Sequence, residues 1–149
     1  MHRGTLAGLA AAIFASTGAA AAGPEHLVGT WMTESRDSKI RVAPCGRVYC
    51  ATVVWAKTNS LDARNPDPGL RRRGTIGMQL TKDMRPAGDG SLSGSIYNPE
   101  DGKTYSASMN LRGTNDLEVS GCVLGGLICG SETWKRDSED TASAAPAPH

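Results

Sequence analysis

Apolar and polar residues alternate along most of the chain. Ile40 and Val42 alternate in "KIRVA", and Ile76, Met78 and Leu80 in "IGMQL". Leu92, Gly94 and Ile96 do so in "SLSGSIY", and Tyr105, Ala107, Met109 and Leu111 in "KTYSASMNL". Leu117, Val119, Gly121 and Val123 follow in "LEVSGCV". A period of two with polar residues between is the mark of a strand with one buried face. No segment sustains the i, i+3, i+4, i+7 spacing of an amphipathic helix. Clusters rich in Gly, Pro, Asn, Asp and Ser punctuate these runs: "SRDSK", "PCGR", "AGDG", "NPEDG", "RGTND" and "GG". Such residues favour the backbone angles of turns. The pattern predicts eight strands, approximately 28–34, 39–43, 48–56, 76–82, 90–97, 103–111, 116–124 and 127–136. Short connections make them an antiparallel meander. Eight one-faced strands usually close into an up-and-down barrel, which removes the sheet edges. A two-sheet β-sandwich is the alternative.

The inward set on this reading is Ile40, Val42, Val53, Trp55, Ile76, Leu80, Leu92, Ile96, Tyr105, Leu111, Leu117 and Val119, with Ala51, Gly94, Ala107 and Gly121 among them. An eight-stranded barrel is either filled by side chains or holds one small ligand. Four small inward residues favour a modest apolar cavity, although glycines also mark bends.

"GTW" (Gly29, Thr30, Trp31) opens the first strand and "TWKR" ends the last at Arg136. A G-x-W at the first strand and an Arg on the last resemble the lipocalin-like (calycin-type) barrel. The resemblance implies that Arg136 packs across Trp31 at the closed end. The blocks "GTWMT", "KIRVAPCGRVYCATVVW", "NPDPGLRRRGTIGMQL", "GSIYNPEDGKTYSASMNL", "LEVSGCV" and "ETWKR", in that order, are also similar to the bacterial exported family of domain of unknown function 2147. That resemblance implies an exported lipocalin-like barrel and no established activity.

The first 22 residues have a short basic start (His2, Arg3), an apolar stretch from Leu6 to Ala15 and small residues ending in Ala20-Ala21-Ala22. This is the layout of a cleaved secretory signal peptide, and no run reaches the roughly 18 apolar residues of a membrane span. The expected organisation is a signal peptide at 1–22, one β-barrel domain at 23–136 and a disordered acidic, Ala/Pro-rich tail at 137–149. The expected location is periplasmic or secreted. Loss of Arg3 takes the 16 basic residues to 15, equal to the 15 acidic ones. A neutral mature chain lacks the basic excess of a nucleic-acid binder.

In a meander, successive turns alternate between the two ends of the barrel. The long connection 57–75 and the "NPEDG" turn therefore share one end, beside the 35–38 turn. A connection of about 19 residues greatly exceeds the roughly two to five of a hairpin loop. It brings Asp62, Asn65, Asp67, Arg71, Arg72 and Arg73 towards Glu100, Asp101 and Lys103, which together form the candidate ligand-binding mouth. The opposing reading is a Pro-stiffened surface loop whose arginines pair with those acids. Counting back from Ile76 puts Arg72 on the inward parity, with Arg71 and Arg73 outward.

The candidate chemistry is narrow. The mature chain has His26 and His149 and no other histidine, so neither a Ser-His-Asp set nor a histidine zinc site can be assembled in the domain. "GSLSG" has Leu92 where a nucleophile elbow needs Ser. No catalytic set, metal site or cofactor is expected. An even number of cysteines in an exported chain points to disulfides. In "CVLGGLIC" a turn at Gly125-Gly126 sets Cys122 opposite Cys129, and Cys45 and Cys50 flank the "PCGR" turn. The two turns fall at opposite ends of the barrel, beyond disulfide reach of each other. The expected pairs are Cys45–Cys50 and Cys122–Cys129. Met78 and Met109 lie on core faces and read as packing rather than a copper site.

The expected function is an exported binding module holding a small, partly apolar or anionic ligand at the mouth. A cell-envelope protein-interaction module with a filled barrel is the first alternative, and a carboxylate-based hydrolase at the mouth the second.

Overall fold

The computed structural model describes residue 12 and residues 23–139. The expected signal peptide and nearly all of the expected tail lie outside the described residues. Eight antiparallel strands close in sequence order into a barrel. They are β1 (Gly29–Met32), β2 (Ser38–Cys45), β3 (Val48–Ala56), β4 (Thr81–Pro86), β5 (Leu92–Asn98), β6 (Lys103–Leu111), β7 (Asp116–Val123) and β8 (Ile128–Arg136).

Alternation places the core where the pattern predicts it. Ile40, Val42, Ala51, Leu92, Ala107, Met109, Leu117 and Val119 are buried on the inner face, with Met78 and Met84 beside them. A fully buried aliphatic or Met side chain stabilises by roughly 1.5–3 kcal/mol. Both disulfides are present. Cys45–Cys50 spans the β2–β3 hairpin with Cα atoms 5.8 Å apart, and Cys122–Cys129 joins β7 to β8 at 4.1 Å. The register Cys122↔Cys129 and Val123↔Ile128 is the one counted from the glycine pair, and Gly125 and Gly126 supply the positive φ values of the turn, 65° and 92°.

Two bulges shift the alternation. In the β2–β3 ladder Lys39 pairs with Trp55 and Ile40 with Val53, so Val54 is the extra residue. An extra residue reverses the parity beyond it. Trp55 therefore points outward, 40 % exposed, with the Lys39 ammonium 5.8 Å from its ring centroid. That corrects its place in the inward set. The second bulge lies in β4, between Lys82 and Arg85, where Asp83 has φ 53°. The strand expected at 76–82 is instead Thr81–Pro86, and its buried residues Thr81 and Met84 are three apart. The preceding residues still run along β3: Gly77 N donates to Val53 O (2.7 Å) and Leu80 N to Ala51 O (2.7 Å). Gly77, at φ 89°, turns the chain there, and Ile76 is exposed rather than inward. Gly94 answers the same bulge. A Cβ on it would lie 2.7 Å from Asp83 O and Met84 Cα, so this glycine admits a close backbone approach rather than opening space.

One end is sealed by the first and last strands. Only Trp31↔Arg136 and Met32↔Lys135 pair β1 with β8. Arg136 reinforces this short seam. Its guanidinium lies 4.2 Å from the Trp31 ring centroid and donates to Thr114 O (3.0 Å), Val28 O (3.2 Å) and His26 O (2.9 Å). Trp31 Nε1 donates to Leu27 O (3.0 Å).

Candidate functional site

The opposite end is open. A cavity of about 980 Å³ runs from the mouth into the barrel. Its walls are Ile40, Val53, Leu80, Ile96, Val119 and Trp134, and its rim comes from the β1–β2 turn, the long β3–β4 connection and the β5–β6 turn. These connections meet at one end, as the alternation of turns requires. Lys57 N donates to Asp37 O (2.9 Å), and Gly102 packs so tightly on the long connection that an added Cβ would lie 2.0 Å from Arg64 O.

The long connection is an ordered flap. Asp62 N donates to Arg73 O (2.8 Å) and Thr75 N to Ser60 O (2.9 Å), closing its base like a hairpin. Its centre is Asp62, with no exposed surface. The carboxylate accepts from Tyr97 Oη (2.6 Å), Asn65 Nδ2 (2.8 Å) and Arg73 Nη2 (2.9 Å). Burial raises the carboxyl pKa, but hydrogen bonds from Tyr97, Asn65 and Arg73 together outweigh it and hold Asp62 below its ordinary value. Burial first, then the hydrogen bond to Asp62 and after it the Asp62 charge, push the Tyr97 phenol up to about 12. Asp67 accepts from Gly69 N (2.9 Å), and Arg71 Nε donates to Asn65 O (2.8 Å).

The expected mouth residues therefore divide. Asp62, Asn65, Asp67, Arg71 and Arg73 are engaged in holding the flap together. Arg73, not Arg72, is the arginine paired with an acid; Arg72 is exposed. Non-strand backbone between Arg71 and Ile76 breaks the alternation on which the inward parity of Arg72 depended. Asp101 accepts from Lys103 N (2.9 Å) and from the Tyr105 hydroxyl, and the Lys103 side chain is exposed. Of the nine, Glu100 lines the cavity.

Three other acids or bases on the flap and turns line it as well: Asp37, Lys57 and Arg64. Hydrogen bonds from Ser35, then Thr33 and Ser38, lower the Asp37 pKa against the opposing effect of burial. Glu132 also lines the cavity, from the wall of β8. Sequence reasoning missed it, although a signal existed: Glu132 lies two residues before Trp134 and shares its face. It pairs with inward-facing Val119, and its Oε2 accepts from Trp134 Nε1 (2.8 Å).

A closed eight-stranded meander, sealed by a Trp–Arg pair at one end and hollow at the other, is a lipocalin-like barrel. Consistent with this, the structure resembles a solved structure described as "Protein HP1028 from the human pathogen Helicobacter pylori belongs to the lipocalin family". The TM-score is 0.69 and the identity 26 %, over 78 % of this chain and 86 % of that one. The chain belongs to the family described as an uncharacterized protein conserved in bacteria, DUF2147, which matches residues 29–136. No curated protein matches it.

Proposed function

We propose that this protein is an exported binding module that takes a small, partly apolar ligand into the open end of its barrel. The cavity carries the reading. Its volume, about 980 Å³, lies at the upper end of the roughly 300–1,000 Å³ range of small-molecule sites. Apolar walls supply affinity by burial, and the polar rim orients whatever is bound. The two disulfides support an oxidising, extracytoplasmic location. Native mass spectrometry and lipid extraction of protein purified from its own host test the proposal. The expected result is a retained small molecule. Empty protein, with the barrel filled by side chains in a crystal, overturns it.

One observation favours a second reading, a cell-envelope protein-interaction module. Leu127 and Ile128 are 85 % and 58 % exposed at the β7–β8 turn. Crosslinking from whole cells would then retain a partner through this tip. The hydrolase reading has no comparable support. It needs a carboxyl with a raised pKa beside the cleft. The carboxyl shifts resolved among the described residues, at Asp37, Asp62, Asp89 and Glu118, are all downward.

A further inference from the structure

We propose that Glu132 makes the cavity selective for amphiphiles with a cationic head, such as a protonated amine on an apolar body. This rests on the reading of the cavity as a ligand site. The contribution of Glu132 follows from its position. β1 pairs with β8 only at Lys135 and Arg136, so the stretch of β8 before them has no β1 neighbour. Ser131 and Glu132 line the cavity there, as do Thr33, Ser35 and Asp37 of the β1–β2 turn. The gap between turn and strand gives a head group access to this wall.

Glu132 projects on the same face as Val119 and Trp134, where an apolar body would lie. Its one hydrogen-bond partner among the described residues is Trp134 Nε1, and no cation stands within ion-pair distance. An ionised carboxylate has about four acceptor positions, so most of its capacity remains for a ligand. The other cavity acids are differently placed. Asp37 accepts from the Thr33 and Ser38 hydroxyls on Oδ1, and Glu100 sits on the β5–β6 turn at the rim rather than on the wall. Lys57 and Arg64 also line the cavity and would favour an anion, but both sit on the flap at the rim. Glu132 is itself exposed, but it stands on the wall beside the apolar lining, so a head group paired with it leaves the apolar body against Val119 and Trp134, and the preference stays open to screening by salt. The adjacent Trp134 indole adds an aromatic surface of the kind that accepts cations.

The test is displacement of the neutral fluorophore N-phenyl-1-naphthylamine by dodecylamine and by dodecanoate, which share a twelve-carbon chain. Dodecylamine is expected to displace it at about tenfold lower concentration, equivalent to about 1.4 kcal/mol. The preference should shrink as salt is raised, and Glu132→Gln should bring the two amphiphiles to near parity. If that variant fails to fold, the preference of the unaltered protein and its salt dependence still decide. Equal displacement, stronger displacement by dodecanoate, or a preference that survives in folded Glu132→Gln overturns the assignment while leaving the cavity reading intact. Failure of the unaltered protein to take up the fluorophore overturns the cavity reading itself.

Discussion

The guanidinium of Arg136 lies 4.2 Å from the ring centroid of Trp31, joining the last strand to the first across a seam of only two residue pairs. Removing it takes away the cation–π contact and three hydrogen bonds to main-chain carbonyls. Arg136→Ala should cost about 3 kcal/mol. Arg136→Lys should recover a minority of that, because an ammonium cannot both stack on the ring and reach three diverging acceptors. Urea unfolding of both variants checks this. Equal midpoints for Lys and Arg would show that charge alone closes the barrel.

The flap makes a prediction in two directions of pH. Asp62 has a lowered pKa, so its contribution to stability is full above the ordinary carboxylate value of 3.8 and is lost as pH falls through the lowered folded value. Tyr97 is raised to about 12, so its contribution is full below about 10 and is lost as pH rises through about 12. The difference between the ultraviolet titrations of the unaltered protein and Tyr97→Phe should show one phenol ionising near 12. Asp62→Asn should bring that phenol down, and Asp62→Ala should destabilise by about 2 kcal/mol, because it leaves the Tyr97 hydroxyl and the Asn65 amide without their acceptor, whereas Arg73, 41 % exposed, can turn to water.

The barrel was legible because its strands repeat one simple pattern. The β7–β8 register was legible too, since a glycine pair between two apolar residues leaves one short way to turn. The bulges at Val54 and in Lys82–Arg85 were not, because an extra residue reverses parity without demanding a particular side chain. That is why Trp55 and Ile76 were placed inside. The acid–arginine clustering in the long connection was legible as composition. Its internal wiring was not, because the Tyr97 partner of Asp62 lies 35 residues away and comes near only when the barrel closes.

The β3 bulge has its own optical test. Trp31 is 0 % exposed and Trp134 4 %, whereas Trp55 is 40 % exposed. Iodide should quench one component of the tryptophan emission, and Trp55→Phe should abolish that component. Quenching that persists in the variant would place Trp55 back inside the barrel. Because Trp55 lies outside the cavity, the same variant should bind N-phenyl-1-naphthylamine as the unaltered protein does.

Each disulfide closes a short hairpin, with sequence separations of 5 and 7. Chain-entropy arguments assign about 2 kcal/mol to each loop of that size. Reduction should therefore lower the melting temperature while leaving the far-ultraviolet spectrum of the barrel unchanged at room temperature. Collapse of the spectrum on reduction would mean that the hydrophobic core is weaker than its packing implies.

Gly102 links the flap to the β5–β6 turn, and it does so for two reasons that no other residue satisfies. Its φ is 71°, and an added Cβ would lie 2.0 Å from Arg64 O. Relief of that clash requires the turn and the flap to separate, since the obstacle is main chain rather than a pliable side chain. Gly102→Ala should therefore lower stability by about 2 kcal/mol or more. Separation would also expose Tyr97 and weaken its bond to Asp62. In this variant the high-pH phenol should titrate closer to 10, although neither Asp62 nor Tyr97 has been changed. A variant that loses stability while its phenol stays near 12 would show that the turn yields alone and the flap remains locked.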